Sequence, residues 1–67
     1  MSFVEVAVAR PVRGLFTYRV PVGMELTLGH VVGVPFGRSQ VTGYVIRCID
    51  VTDIKRLKSV GRLIDPI

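Results

Sequence analysis

Apolar and polar residues alternate along most of this chain with a period of two, which is typical of half-buried β-strands. In the first run Val4, Val6 and Val8 share one face, and Glu5 lies on the other. The β-branched residues Val, Ile and Thr fill 22 of the 67 positions, which favours strands over helices. Five alternating runs follow one another, over residues 4–8, 16–20, 31–36, 41–49 and 57–64.

Turn-forming residues separate these runs. Pro and Gly punctuate residues 10–14 and 21–23, Gly29 precedes the third run, and residues 35–39 read as a hairpin connection. Residues 50–55 are expected to form a polar loop, or at most one helical turn. Short strands at this regular spacing predict an all-β fold, a closed or nearly closed antiparallel barrel of about five strands.

Strict alternation makes further predictions for the last two runs. In the fourth run, one face is expected to carry Val41, Gly43, Val45, Arg47 and Ile49. In the last run, Lys58 and Arg62 are expected on the face shared by Val60 and Ile64, as a basic stripe. Cys48 is expected to be a small buried apolar residue.

Length and composition exclude several classes of protein. A chain of 67 residues is one small domain and leaves no room for a two-domain enzyme or a cofactor-binding βαβ pair. A single cysteine excludes an internal disulfide framework and a Cys-rich zinc site, and suits a reducing compartment. The sequence shows no signal peptide and no apolar run long enough to span a membrane. The net charge of +4 favours a polyanionic partner.

Catalytic chemistry has little support in this sequence. His30, the one histidine, falls at a turn, where we expect it to be solvated, and the five acidic residues form no evident pair. Residues 33–39 look at first like a phosphate loop, but the glycine spacing is one residue short and Arg38 stands where lysine is needed. We therefore expect a chain without catalytic or metal-ligating residues.

The aromatic residues Phe16 and Tyr18 lie two apart on one face of a strand, just after a loop that carries Arg10 and Arg13. Aromatic rings on a β-surface can stack nucleobases while basic side chains neutralise phosphates. The alternative is that both rings belong to the core. Gly37 and Arg38 similarly offer either a ligand-binding turn or an ordinary hairpin turn with a solvated arginine.

Three segments in combination resemble a known family. They read Leu-Phe-Thr-Tyr-Arg-Val-Pro at residues 15–21, Val-Gly-Val-Pro-Phe-Gly-Arg at 32–38 and Thr-Gly-Tyr-Val at 42–45. This order resembles the N-terminus of the PriA family of primosomal replication-restart helicases, and the resemblance extends over almost the whole chain. It implies an OB-like barrel over residues 1–67, as one non-catalytic module of a larger bacterial, cytoplasmic and nucleoid-associated helicase.

The resemblance also implies a function and a site. The module would bind the 3′ end of the nascent leading strand at stalled, forked DNA for replication restart. The implied DNA-binding residues are Phe16, Thr17, Tyr18, Gly37, Arg38 and Lys58. The helical subdomain, the ATP-dependent 3′–5′ motor and the zinc domain belong to the full-length family, and so do the ATP and zinc themselves. The implied partners are those remaining domains and other primosome proteins, with no membrane.

One position departs from the family pattern, because Thr17 stands where Asp is usual. A hydroxyl can make one hydrogen bond but lacks the charge and bidentate reach of a carboxylate. We expect 3′-end binding to be retained but weaker or less end-selective. Two rival functions stay open at this point, a protein-interaction barrel with aromatic core residues and a small basic RNA-binding barrel.

Overall fold

The described part of the chain forms five β-strands, as the alternation predicts. In the computed structural model, which describes residues 2–50, 52–54 and 56–65, no helix occurs among these described residues. None of them therefore forms a helix that could cross a membrane. The strands are β1 (Phe3–Val8), β2 (Phe16–Arg19), β3 (Val31–Phe36), β4 (Ser39–Ile49) and β5 (Arg62–Asp65).

All five strands belong to one antiparallel sheet with the order β2-β1-β4-β3-β5. The edge strands β2 and β5 do not pair directly, so the sheet is not closed. The gap is spanned by one isolated parallel bridge between Arg19 and Ser59. In this bridge the Arg19 amide donates to the Lys58 carbonyl, and the Val60 amide donates to the Arg19 carbonyl, each at 3.0 Å. The all-β prediction is confirmed, and the architecture is that of a small OB-like barrel left open at one seam.

The core lies inside the curved sheet and is built largely from valine. Val6, Val32, Val34 and Val45 are fully buried, and their inward positions on β1, β3 and β4 are those that the alternation predicts. Valine is stiff at χ1 and packs well on a pleated surface, so a small barrel can be filled with little loss of rotamer freedom.

Gly43 shows how closely the strands approach in this core. A Cβ built on Gly43 would overlap Cγ1 of Val6 and would lie 3.2 Å from the carbonyl oxygen of Ala7. Glycine at position 43 therefore allows β4 to approach β1 this closely.

The strict alternation predicted for β4 is wrong beyond Val45. Glu5 pairs with Arg47 but Val6 pairs with Val45, so β4 carries one extra residue, Ile46, as a bulge. The bulge reverses the faces, and Arg47 is therefore exposed instead of sharing the inward face of Val45.

The prediction for Cys48 also needs correction. Cys48 is exposed rather than buried, and its thiol donates to the carbonyl of Leu26 at 3.5 Å. His30 lies beside a turn, as predicted, and is partly exposed; its Nδ1 accepts the amide of Thr27 at 3.0 Å and supports the turn before β3.

The last predicted strand, over residues 57–64, is wrong in its first half. Regular pairing starts only at Arg62, after the bridge at Ser59. Val60 is buried while Lys58, Arg62 and Ile64 are exposed, so these residues do not share one face. The polar loop predicted over residues 50–55 has no regular structure at residues 52–54, and Val51 and Lys55 lie outside the described residues.

Candidate functional site

Three segments distant in sequence meet at one end of the barrel. They are the aromatic segment of β2, the turn between β3 and β4, and the segment before β5. The Tyr18 hydroxyl donates to the carbonyl of Pro35 at 2.7 Å, and the Lys58 ammonium donates to the carbonyl of Gly37 at 3.2 Å. The structure therefore brings together Tyr18, Gly37 and Lys58, three of the residues singled out from the sequence.

Tyr18 is part of the core rather than of the exposed surface. Only 4% of the residue is exposed, and its hydroxyl is satisfied by Pro35. Burial raises the pKa of the Tyr18 phenol above its ordinary value, because the charged phenolate would lose its hydration. For Tyr18 the core alternative is thus the one the structure shows, and its hydroxyl fixes β2 against the β3–β4 hairpin.

Phe16 lies at the rim, where the core meets solvent. It is half-buried and packs against Phe36 with ring centroids 5.0 Å apart and an interplanar angle of 80°, an edge-to-face pair. Both rings keep some exposed apolar surface. Phe36 is a residue of this site that the sequence analysis did not single out. The signal for it is its position directly before Gly37 in the hairpin.

Thr17 lies on the other side of β2. It follows Phe16 and precedes Tyr18, so its side chain projects from the opposite face of the strand. Its register partner is Glu5, whose carboxylate forms an ion pair with Arg47 at 3.2 Å. The side chain of Thr17 is therefore on the outer face of the sheet, beside Glu5 and Arg47.

The hairpin presents backbone and charge to solvent. Gly37 has φ +61°, and the two-residue loop with glycine first is typical of a type II′ turn. No atom lies within 4 Å of a Cβ built on Gly37, so the turn is open to an approaching ligand. Arg38 is exposed at its tip. Residues 33–39 thus form a strand and a hairpin, as predicted.

Basic residues lie at this end of the barrel. Lys58 and Arg38 are exposed beside the turn. The loop with Arg10 and Arg13 leaves the sheet nearby, because the Ala9 amide donates to the carbonyl of Thr42 near the start of β4. Elsewhere in the described part of the chain, His, Cys, Asp and Glu side chains form no group of three that could hold a metal ion. A rim of aromatic rings, open backbone and basic side chains is suited to nucleic acid.

The fold and this surface define a small β-barrel of the kind that binds nucleic acid, and comparison with known proteins identifies its family. Residues 5–67 match the 3′ DNA-binding domain (3′BD) of PriA. The chain therefore belongs to the PriA 3′ DNA-binding domain family, a family of DNA 3′-end-binding modules.

A similar protein is the Replication restart protein PriA of Synechocystis sp.. It is 42% identical over 36 residues, which are 54% of this chain and 4% of that protein. The chain thus spans only a small part of the length of the curated relative that it matches.

Proposed function

We propose that this chain binds the 3′ end of a DNA strand at the surface formed by Phe16, Phe36, Gly37, Arg38 and Lys58. The observation that carries the proposal is the convergence of these groups on one end of the barrel. They are held there by the Tyr18–Pro35 and Lys58–Gly37 hydrogen bonds. Membership of the 3′ DNA-binding domain family supports the same function.

Each group has a distinct physical part in the proposal. The exposed surface of the Phe16–Phe36 pair receives the terminal base or sugar, and base–aromatic contacts of this kind contribute about 1–3 kcal/mol. Gly37 admits a close approach of the strand because it has no side chain. Lys58 has three N–H donors, of which one is held by Gly37, so the others remain for a phosphate. Arg38 adds a second positive charge at the tip.

The two residues beside Phe16 act differently. Tyr18 supports the site from the core and does not stack on the DNA. Thr17, on the outer face of β2, contacts a strand only where that strand passes over the edge of the barrel. We therefore propose that Thr17 in place of the usual Asp weakens end selectivity less than Phe16→Ala would.

The parent protein supplies the wider role. By resemblance, we propose that it is an ATP-dependent helicase. This module would hold the nascent leading strand at a stalled fork so that other domains and primosome proteins can restart replication. In this proposal the chain itself catalyses no reaction and binds no ATP or zinc.

Fluorescence anisotropy with two labelled single strands of one sequence tests the proposal. One strand ends in a free 3′-hydroxyl and the other in a 3′-phosphate. We expect tighter binding to the free end, and we expect Phe16→Ala to remove this preference with a loss of roughly fivefold or more for the free end. Lys58→Met should weaken both strands alike.

Arg47→Gln is the matched control, since Arg47 is exposed on the outer face and paired with Glu5. It should leave the end preference unchanged. Equal binding of both strands by the unchanged chain would reduce the site to a generic basic surface. No binding at low salt would favour the protein-interaction barrel instead. If circular dichroism shows that the Phe16→Ala chain is unfolded, the Phe16 ring belongs to the core.

A further inference from the structure

A cleft of about 380 Å³ opens on the outer face of β3, β4 and β5, away from the aromatic rim. Its polar lining comes from Gln40, Thr42 and Arg62, its apolar lining from Val41 and Ile64, and its floor from Gly33 and Gly61. These residues are not part of the surface described above.

The cleft exists because a side chain is missing from the middle of a cross-strand row. Gly33 pairs with Thr42 on one side and with Arg62 on the other. All three positions face outward, so the row has a notch at Gly33. A Cβ built there would lie 3.3 Å from Cγ of Arg62 and 3.6 Å from Cδ1 of Ile64, so the stems of these two side chains lie over the buried backbone of Gly33.

A second glycine extends the floor. The Gly61 amide donates to the carbonyl of Gly33 at 2.7 Å, which holds the two backbones side by side. A Cβ built on Gly61 would lie 3.1 Å from Oε1 of Gln40, so that amide side chain borders the other end of the notch. The result is a short trough with a backbone floor and walls of both polar and apolar side chains.

The lining chemistry fits a phosphodiester. A guanidinium, a carboxamide and a hydroxyl all offer hydrogen-bond donors, and none of the side chains that the structure describes along the cleft is a carboxylate. Arginine is well suited to phosphate because its planar fork donates two parallel hydrogen bonds. The net charge of +4 favours the same kind of ligand.

The cleft also lies in line with the proposed 3′-end surface. Lys58 contacts Gly37 at one end of β3, and Gly61 contacts Gly33 four residues earlier on the same strand. Four residues of a strand span about 13 Å. At roughly 3.4 Å per nucleotide of a stacked strand, that distance corresponds to about four nucleotides.

We propose that the Gly33 cleft is a second DNA contact, which binds the phosphodiester backbone a few nucleotides before the 3′ end, with Arg62 as its main phosphate ligand. The proposal rests on the proposed 3′-end binding for the direction of the strand. It makes affinity depend on strand length, since a dinucleotide that fills the end surface is too short to reach the cleft.

The test compares Arg62→Gln with the unchanged chain on two single strands with free 3′-hydroxyls, a dinucleotide and a dodecamer, by anisotropy or calorimetry. We expect Arg62→Gln to weaken dodecamer binding about three- to tenfold at low salt and to leave dinucleotide binding unchanged. Its slope of log K against log salt for the dodecamer should be smaller by about 0.7, the value for one phosphate contact on a single strand. Arg47→Gln removes one positive charge from another part of the surface. It should weaken the binding of either strand less than Arg62→Gln weakens the binding of the dodecamer.

Gly33→Ala is a second variant that partly fills the notch without changing the charge. It should also weaken the dodecamer alone. Equal loss on both lengths, or an Arg62→Gln chain that binds the dodecamer like the Arg47→Gln control, would overturn the proposal. The 3′-hydroxyl against 3′-phosphate comparison reports separately on the end surface. If Arg62→Gln weakens dodecamer binding alone while the unchanged chain shows no preference for a free 3′-hydroxyl, the proposed 3′-end function is overturned. That result would keep the cleft as a site for the DNA phosphodiester backbone.

Discussion

The Tyr18 hydroxyl is the group whose removal most directly tests how this site is supported. Tyr18→Phe keeps the buried ring and its volume and deletes only the hydrogen bond of 2.7 Å to the Pro35 carbonyl. Such a bond contributes about 1 kcal/mol net, and the carbonyl left behind is only partly buried and can be rehydrated. We therefore expect Tyr18→Phe to lower the free energy of unfolding by about 1 kcal/mol. The total free energy of unfolding of a 67-residue domain is roughly 3–10 kcal/mol.

The assay is urea unfolding followed by far-UV circular dichroism. The chain has no tryptophan and two tyrosines, so tyrosine fluorescence would change with the substitution itself. A loss of about 1 kcal/mol corresponds to about 4–8 °C in Tm for a domain of this size. A variant as stable as the unchanged chain at neutral pH would show that the Tyr18–Pro35 bond does not support the hairpin.

The pH dependence gives an independent check of the same group. Burial raises the pKa of the folded Tyr18 phenol, so the folded state holds this proton more tightly than the unfolded chain, whose tyrosine titrates near the ordinary value of about 10. The resulting stability is fully present below about pH 10 and is lost as the pH rises through the higher folded-state pKa. The advantage of the unchanged chain over Tyr18→Phe should therefore shrink above about pH 10. A difference that stays constant up to pH 11 would contradict this reasoning.

Three other substitutions separate the effects of backbone, charge and packing. Gly37→Ala should cost about 1–2 kcal/mol in urea unfolding, because φ is +61° while no atom would contact the new methyl group. Lys58→Met should change stability by less than about 0.5 kcal/mol, since the side chain is exposed, yet lower the salt slope of single-strand binding by about 0.7. Gly43→Ala should cost about 1–3 kcal/mol by overlap with Val6, and Val6→Ala in the same chain should recover part of that loss, as a double-mutant cycle would show.

The sequence predicted the strands whose register is fixed by burial on one face. Val4, Val6, Val32 and Val34 are inward as their period of two requires, because a slip by one residue would expose the whole set. The same rule failed at Ile46, where the bulge arises from how β4 must bend along β1. A bulge depends on the geometry of two strands together, and the sequence of one strand does not reveal it.

The sequence predicted which residues belong to the candidate site better than it predicted how they are arranged. Phe16, Gly37 and Lys58 were named from the sequence by resemblance, but the contact between Lys58 and Gly37 depends on a segment that crosses the open seam of the sheet. The division between a buried Tyr18 and a rim Phe16 also could not be read from the pattern, since both occupy the same face of β2. What separates them is distance from the end of the barrel, which is a property of the folded sheet.

Two neighbouring residues of β2, Tyr18 and Arg19, hold the segments of the candidate site together. Tyr18 ties β2 to the base of the hairpin, and the next residue, Arg19, pairs through its backbone with Lys58 and Val60. Lys58 is in consequence held at two points, by its carbonyl to Arg19 and by its ammonium to Gly37. A flexible lysine normally loses rotamer freedom when it binds a phosphate, and part of that loss is already incurred here on folding. Substitutions in the core beneath the site should therefore weaken binding by loosening Lys58, even where they leave every exposed residue in place.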